Sequence, residues 1–401
     1  MLLNTDRGRE LLHAEDFGGV ISTTLENNYY LSGVWFHGQE MFPRDGEGYV
    51  VANADAPDRG TIVASIGGAD EALEARETIA GVETFGTFFR ELIPGVDLDA
   101  DEQRVADVTA AHQIGRPSID ALVAAIEAQG LSSARIAVDE RGPANGLLLT
   151  KLAERLPSAT FAPGYGLLRK IRSVKTSAEV ECLIATLRIT EVALRATLAA
   201  MTEGVTEREL KLVFEQSILA QGAKLSFCLV RYSRGMALAQ IPSGDNQLRK
   251  GDFVFFDLGC SLAGYKSDIG RVVSFGEPSD TLRAQFDAVR AGQQMAIDTM
   301  RPGVTAREVF GAAVQAVRDA GLPDYERHHV GHAIGLETYD TPVINPNDAT
   351  PLEANMVFEV ETPLYQLGVG GAFIEDTVLV TEDGSRILTE IERELILVEP
   401  A

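Results

Sequence analysis

Apolar positions change their period along this chain, and the changes divide it. PSIDALVAAIEAQG (117–130) carries its apolar residues at helical spacing and closes on Gly130, which predicts a helix. GYVVANA (48–54) and ARIAVDE (134–140) are short β-rich runs and predict strands. LENNYYLSGVWFHG (25–38) ahead of them is aromatic-rich and punctuated by glycine. Together these make an α/β unit of the first part of the chain. FAPGYGLLRKIRSVKT (161–176) holds a turn and then basic residues, and leads into TSAEVECLIATLRITEVALRATLAAM (176–201), a long helical pattern with Thr176 or Ser177 as N-cap and Glu179 in its first turn. The domain boundary is placed there, giving units 1–165 and 166–401.

The second unit repeats itself. MTEGVTEREL (201–210) matches MRPGVTAREV (300–309) at Met, Gly, Val, Thr, Arg and Glu. In each copy Thr-x-x-Glu predicts a capping box, Thr206 with Glu209 and Thr305 with Glu308. The strands repeat as well: FVFFD (253–257) parallels VFEVE (357–361), and RVVSF (271–275) parallels TVLVT (377–381). On this reading Asp257 corresponds to Glu361 and Asp268 to Glu375. Two α+β halves related by a pseudo-two-fold axis would then close around a shared site.

Period-two alternation puts Phe253, Phe255 and Asp257 on one strand face, and Val357, Glu359 and Glu361 on another. A carboxylate at the end of an apolar strand is costly unless it is paired or binds metal. Asp268 follows the turn LAGYKS, so a hairpin brings it back beside Asp257. His332 lies in RHHVGHAIG between Gly331 and Gly335, and three of the six histidines fall within 328–332. Asp257, Asp268, His332, Glu361 and Glu375 form an oxygen-rich set with one imidazole. That set suits two divalent ions of the Mn, Fe, Co or Zn type rather than Ca, and such a pair activates water for hydrolysis.

Composition narrows the rest. The chain has 401 residues and a net charge of −24, which argues against nucleic acid and anionic membranes as partners. MLLNTDRGRELLHAEDFGG is too polar for a signal peptide, and no apolar run reaches membrane-span length. A soluble cytoplasmic protein is expected. Cys182, Cys228 and Cys260 are too few and too spread for a disulfide framework. Cys260, three residues past Asp257, reads as a small core residue beside the site.

FDLGCSLAGYKSDIGR, HHVGHAIGLETYDTP, MVFEVETPLY and GAFIEDTVLVTEDG resemble the four signature segments of the M24 metallopeptidases. That pita-bread family includes methionine aminopeptidases, aminopeptidase P and Xaa-Pro dipeptidases. The likeness covers about 170–400, and LENNYYLSG resembles the N-terminal domain of the creatinase/prolidase branch. It implies an α/β N-terminal domain followed by an α+β pita-bread domain. The five metal ligands it implies are Asp257, Asp268, His332, Glu361 and Glu375. His328, four residues before the metal His, and Tyr365, four after Glu361, also match; with Glu361 they are the implied catalytic residues. Glu361, or Glu359 on the same strand face, would carry a proton to the leaving amine.

The substrate shell departs from the pattern. Tyr339 and Gln240 stand where the peptidases carry histidines, and Phe373 where prolidases carry an arginine. Phe373 cannot bind a substrate carboxylate, so Arg231 or Arg234 is a candidate replacement, each with the alternative of a solvated loop position. Trp35 would line the partner's pocket in a homodimer, or serve as a buried packing aromatic. Three functions follow: a Xaa-Pro dipeptidase or similar small-peptide hydrolase with Mn or a related ion; a hydrolase of non-peptide amides or C–N bonds, like creatinase or ectoine hydrolase; or a non-catalytic metal-binding scaffold.

Overall fold

The computed structural model describes residues 3–110, 114–139 and 145–400. It divides into two compact units, Met1–Arg172 and Ser173–Ala401. The first unit ends several residues beyond the boundary read from the sequence, because the helix Tyr165–Ser173 belongs to it. The backbone carbonyl of Lys170 accepts a hydrogen bond from the Arg7 guanidinium, and Arg172 donates to the Asn27 side chain at 2.6 Å.

The first unit is a mixed six-stranded sheet. Its order is Gly81–Phe85, Thr61–Ser65, Tyr49–Asn53, Gly19–Ser22, Arg135–Val138, Thr160–Pro163. Two of these are the strands expected from GYVVANA and ARIAVDE, though Glu140 lies outside the described residues. The helix Ser118–Ala128 packs Leu122, Ala125 and Ile126 onto the sheet core, and Gly130 beyond it takes φ 72°. That positive φ is one only glycine adopts cheaply.

The second unit opens with the helix Ser177–Ala199, capped by the Thr176–Glu179 box. Each half then follows one plan. Two helices (Ser177–Ala199 and Glu207–Ala220; Asp280–Thr299 and Ala306–Asp319) precede three principal strands (Lys224–Tyr232, Phe253–Leu262, Ile269–Phe275; Gly331–Ala333, Val357–Glu361, Ile374–Val380). Both predicted capping boxes form. The six strands run 331, 357, 374, 269, 253, 224 across one antiparallel sheet, so the second half mirrors the first. Val309, Ala313 and Val317 of one helix pair cover Phe358, Val360, Val378 and Val380.

The register corrects one equivalence. Asp257 sits opposite Gly270, Glu361 sits opposite Glu375, and Gly270 pairs with Glu375 where the halves meet. The counterpart of Glu375 is therefore Gly270, and that of Asp268 is Phe373. Matching the strand sequences missed this because the turns before the two strands differ in length. The pairings around the axis agree with it: Phe373 lies over Gly270, and Asp268 contacts Glu375.

Candidate metal centre

Strand periodicity delivers the acidic residues to one face. Asp257 and Phe255 share the side of their strand that faces the second half. Phe255 is buried and packs against Phe373 at 5.1 Å between ring centroids. Glu359 and Glu361 point the same way from the neighbouring half. Asp268 enters from just before its strand, and His332 stands directly opposite Glu359. The metal-binding atoms of Asp268, His332 and Glu375 all lie within 4.8 Å of one another. Asp268 contacts the Asp257 carboxyl, and Glu361 is the cross-strand partner of Glu375.

The electrostatics of this cluster are one-sided. Burial, followed by the charge of Glu361, pushes Asp257 up to about 8. Burial pushes Glu361 up to about 7, with the Arg327 guanidinium pulling the other way. Burial, then the charges of Asp257, Glu359 and Glu361, hold Asp268 well above the usual carboxylate range, and burial followed by Asp268 and the same three acids does so for Glu375. Glu359 is raised by burial despite accepting a hydrogen bond from the Thr377 hydroxyl at 3.1 Å. Oδ1 of Asp268 and Oε2 of Glu359 are buried with no hydrogen-bond partner among the described residues. Buried carboxylates pressed together in this way need protons or cations.

His332 is set up as a ligand. Its Nδ1 lies 3.2 Å from the Ala333 carbonyl and donates to it, which leaves Nε2 bare and facing Asp268 Oδ2 at 3.9 Å. Burial depresses its pKa to about 4, so the ring is neutral. This donor set, with its orphaned oxygen, fits divalent cations.

The expected substrate shell is partly rearranged. The Tyr339 ring stacks on His332 at 3.6 Å between centroids. Partial burial, followed by the charges of Glu361, Glu375, Asp268 and Asp257, keeps its hydroxyl protonated far above the usual phenol range. Tyr365 is held protonated in the same way, by burial and then by Glu361 and Asp257. Gln240 lies exposed in the turn after a short 3-10 helix, Ser233–Leu238. Trp35 is half-buried within the first unit, donating to Glu40 at 3.0 Å and edge-on to Tyr29.

Three expectations change. Phe373 is a core residue, 1% exposed, wedged over Gly270 and against Phe255 rather than lining a substrate pocket. Arg231 is buried and committed, with its guanidinium 3.5 Å from Glu207 and donating to the carbonyls of Ile241 and Pro242. His328 is exposed, edge-on to His329 at 4.3 Å. The neighbouring His329 is the buried one, with Nδ1 3.2 Å from Glu361 Oε1. A hydrogen bond there needs one proton shared between ring and carboxyl. His329 itself is depressed to about 3 by burial and then by His328, His332 and Arg327. His329 escaped the sequence reading because only one histidine of an adjacent pair can face inward in an irregular segment, and no periodicity says which. Cys260 is buried beside Thr190 and Ser267, a core residue as expected.

No helix among the described residues is long and apolar enough to cross a membrane. The sequence model of metallopeptidase family M24 matches residues 181–382. A Xaa-Pro dipeptidase of Pyrococcus furiosus is 35% identical over 231 residues, covering 57% of this chain and 66% of that protein. The match thus spans slightly under two thirds of that relative's length. Among solved structures, a dipeptidase of Pyrococcus horikoshii superposes with a TM-score of 0.78 at 26% identity, covering 98% of this chain and 99% of that one. A prolidase of the same organism superposes with a TM-score of 0.76 at 24% identity over the same shares of the two chains.

Proposed function

This chain belongs to metallopeptidase family M24, and we propose that it is a two-metal hydrolase of amide C–N bonds, acting on Xaa-Pro dipeptides or closely related small peptides. The observation that carries this reading is the convergence of Asp268, His332 and Glu375 within 4.8 Å, with Asp257 and Glu361 packed beside them. The likeness to the Xaa-Pro dipeptidase of P. furiosus supports the substrate class.

Asp257, Asp268, His332, Glu361 and Glu375 would hold two divalent cations, with manganese the first choice. When bound, these supply a water acidic enough to lose its proton near neutral pH, and positive charge for a developing oxyanion. The chain's own groups do the remaining work. Glu361, in contact with neutral His329, takes a proton and passes it to the leaving nitrogen. Tyr365 and Tyr339 remain protonated and can donate hydrogen bonds to a carbonyl oxygen. Neither can act as a base near neutral pH. We also propose a cytoplasmic protein, in keeping with its three free cysteines, and a homodimer with Trp35 near the partner's site, as the resemblance to the creatinase/prolidase branch implies.

The test is turnover by the Mn²⁺-loaded full chain of Xaa-Pro dipeptides against small cyclic and N-acyl amides. Dipeptide hydrolysis that a chelator abolishes is the expected result. Absence of dipeptide turnover with every divalent ion tried would overturn the peptidase reading. Turnover of the cyclic or N-acyl amides alone would favour a non-peptide amide hydrolase, a reading the exposed Gln240 and the non-titrating Tyr339 support.

A further inference from the structure

Arg327 makes no ion pair within 4 Å among the described residues. It lies in the segment after the helix Ala306–Asp319, just before His328 and His329. Its guanidinium carbon stands 5.4 Å from the centre of the Tyr365 ring, a cation–π distance. Its Nε is buried and makes no hydrogen bond among the described residues. Its charge nevertheless reaches the centre, where it opposes the rise of the Glu361 carboxyl and of the Tyr365 hydroxyl. Four other arginines of this unit are committed. Arg271 and Arg393 hold Asp376 at 2.6 and 2.8 Å. Arg231 faces Glu207, and Arg318 donates to the Tyr325 carbonyl.

We propose that Arg327 is the specificity-determining residue for a carboxylate on the substrate, close to the amide that is cut, as in the free C-terminus of a dipeptide. A guanidinium presents a planar fork of donors that matches a carboxylate in a bidentate pair. Stacking on Tyr365 orients that fork. A single negative charge suits the place better than a dianion, because the acidic cluster beside it repels added charge. An uncharged C-terminal amide offers one acceptor oxygen and no negative charge, so it cannot complete the bidentate pair. The choice of a peptide carboxylate rests on the amide-hydrolase reading; the anion site itself does not.

Two measurements separate the proposals. In the first, calorimetry on the Mn²⁺-loaded full chain compares free proline with prolinamide, neither of which can be hydrolysed to smaller peptides. Proline should bind roughly tenfold or more tighter than the amide. Arg327→Met should erase that difference, Arg327→Lys should keep part of it, and Arg234→Met, at an exposed position nearby in the sequence, should leave it intact. Metal content and thermal unfolding of each variant check that it folds. In the second, kcat/KM is compared for Ala-Pro and its C-terminal amide in the same proteins. The proposal is overturned if wild type binds proline and prolinamide equally or binds neither, or if Arg234→Met loses the preference while Arg327→Met keeps it. Proline preference without dipeptide turnover would sink the peptidase reading and leave Arg327 as an anion reader. Turnover at equal rates on acid and amide would do the reverse.

Discussion

The Tyr339 ring lies nearly parallel to the His332 imidazole, at 21° between planes. The phenol therefore covers one face of a ligand ring whose Nδ1 is already tied to the Ala333 carbonyl. Tyr339→Phe should leave metal affinity unchanged, because the stack survives. Tyr339→Ala should weaken it by about tenfold, the usual scale for losing a group that orients a ligand. Equilibrium metal titration of the two variants checks this, and equal affinities would remove the orienting role.

The acidic cluster makes a signed prediction about pH. In the unfolded chain Asp257 and Glu361 ionise near 3.8 and 4.5, whereas in the metal-free fold they hold their protons to about 8 and about 7. Folded values above unfolded ones give stability that is present at low pH and lost as pH rises through the folded values. His329 and His332 are shifted the other way and oppose this trend, but only below about 6.5. Between about 6.5 and about 8 the melting temperature of chelator-treated protein should therefore fall as pH rises. Saturating Mn²⁺ should reverse the slope, since the ions bind the deprotonated ligands. A flat profile in chelator would count against the clustering.

Asp268→Asn keeps the shape of the side chain and removes one charge from the cluster. Bound metal should drop below that of wild type, and the melting temperature of the metal-free protein at pH 8 should stay level or rise. Undiminished metal content by elemental analysis would show that Asp268 is not a ligand.

Behind the site, Asp376 is fully buried. It receives Arg271 and Arg393, and Gln293 at 2.9 Å. Arg271 also donates to the carbonyls of Gly270 and Glu375, the backbone that carries the ligands. Asp376→Ala leaves buried guanidinium charge without its acid and should destabilise the fold by about 3–5 kcal/mol in urea unfolding. A loss under about 1 kcal/mol, the scale of exposed pairs, would mean that water replaces the carboxylate.

Gly270→Ala would place a methyl 2.1 Å from the Phe373 ring. Overpacking of this kind costs about 1–3 kcal/mol. Phe373→Leu in the same chain should recover part of the loss, which a double-mutant cycle would detect.

Much of this was legible in the sequence because it breaks local rules. Acids at the ends of apolar strands and paired Thr-x-x-Glu caps stand out against their surroundings, and they led to the centre and its duplication. What stayed hidden depends on partners distant in sequence. Arg231 and Arg327 look alike as letters, yet one lies 3.5 Å from Glu207 and the other stands over the Tyr365 ring with no ion pair among the described residues. Phe373 reads as a substitution at a binding position until Gly270 is seen beneath it. The slipped equivalence of Asp268 and Glu375 came from turn lengths, which side-chain patterning does not encode.

The ladder between the two central strands is short. Gly270 with Glu375 and Arg271 with Ile374 are the pairs it holds among the described residues, against six between the 253 and 269 strands. Asp257 and Asp268 come from one half and His332, Glu361 and Glu375 from the other, so an ion held by both would act as a rivet through a short seam. Taking it out should not melt the protein evenly. It should let the two leaves breathe apart along that line first, with amide exchange quickening at 269–271 and 374–376 while the outer strands stay closed.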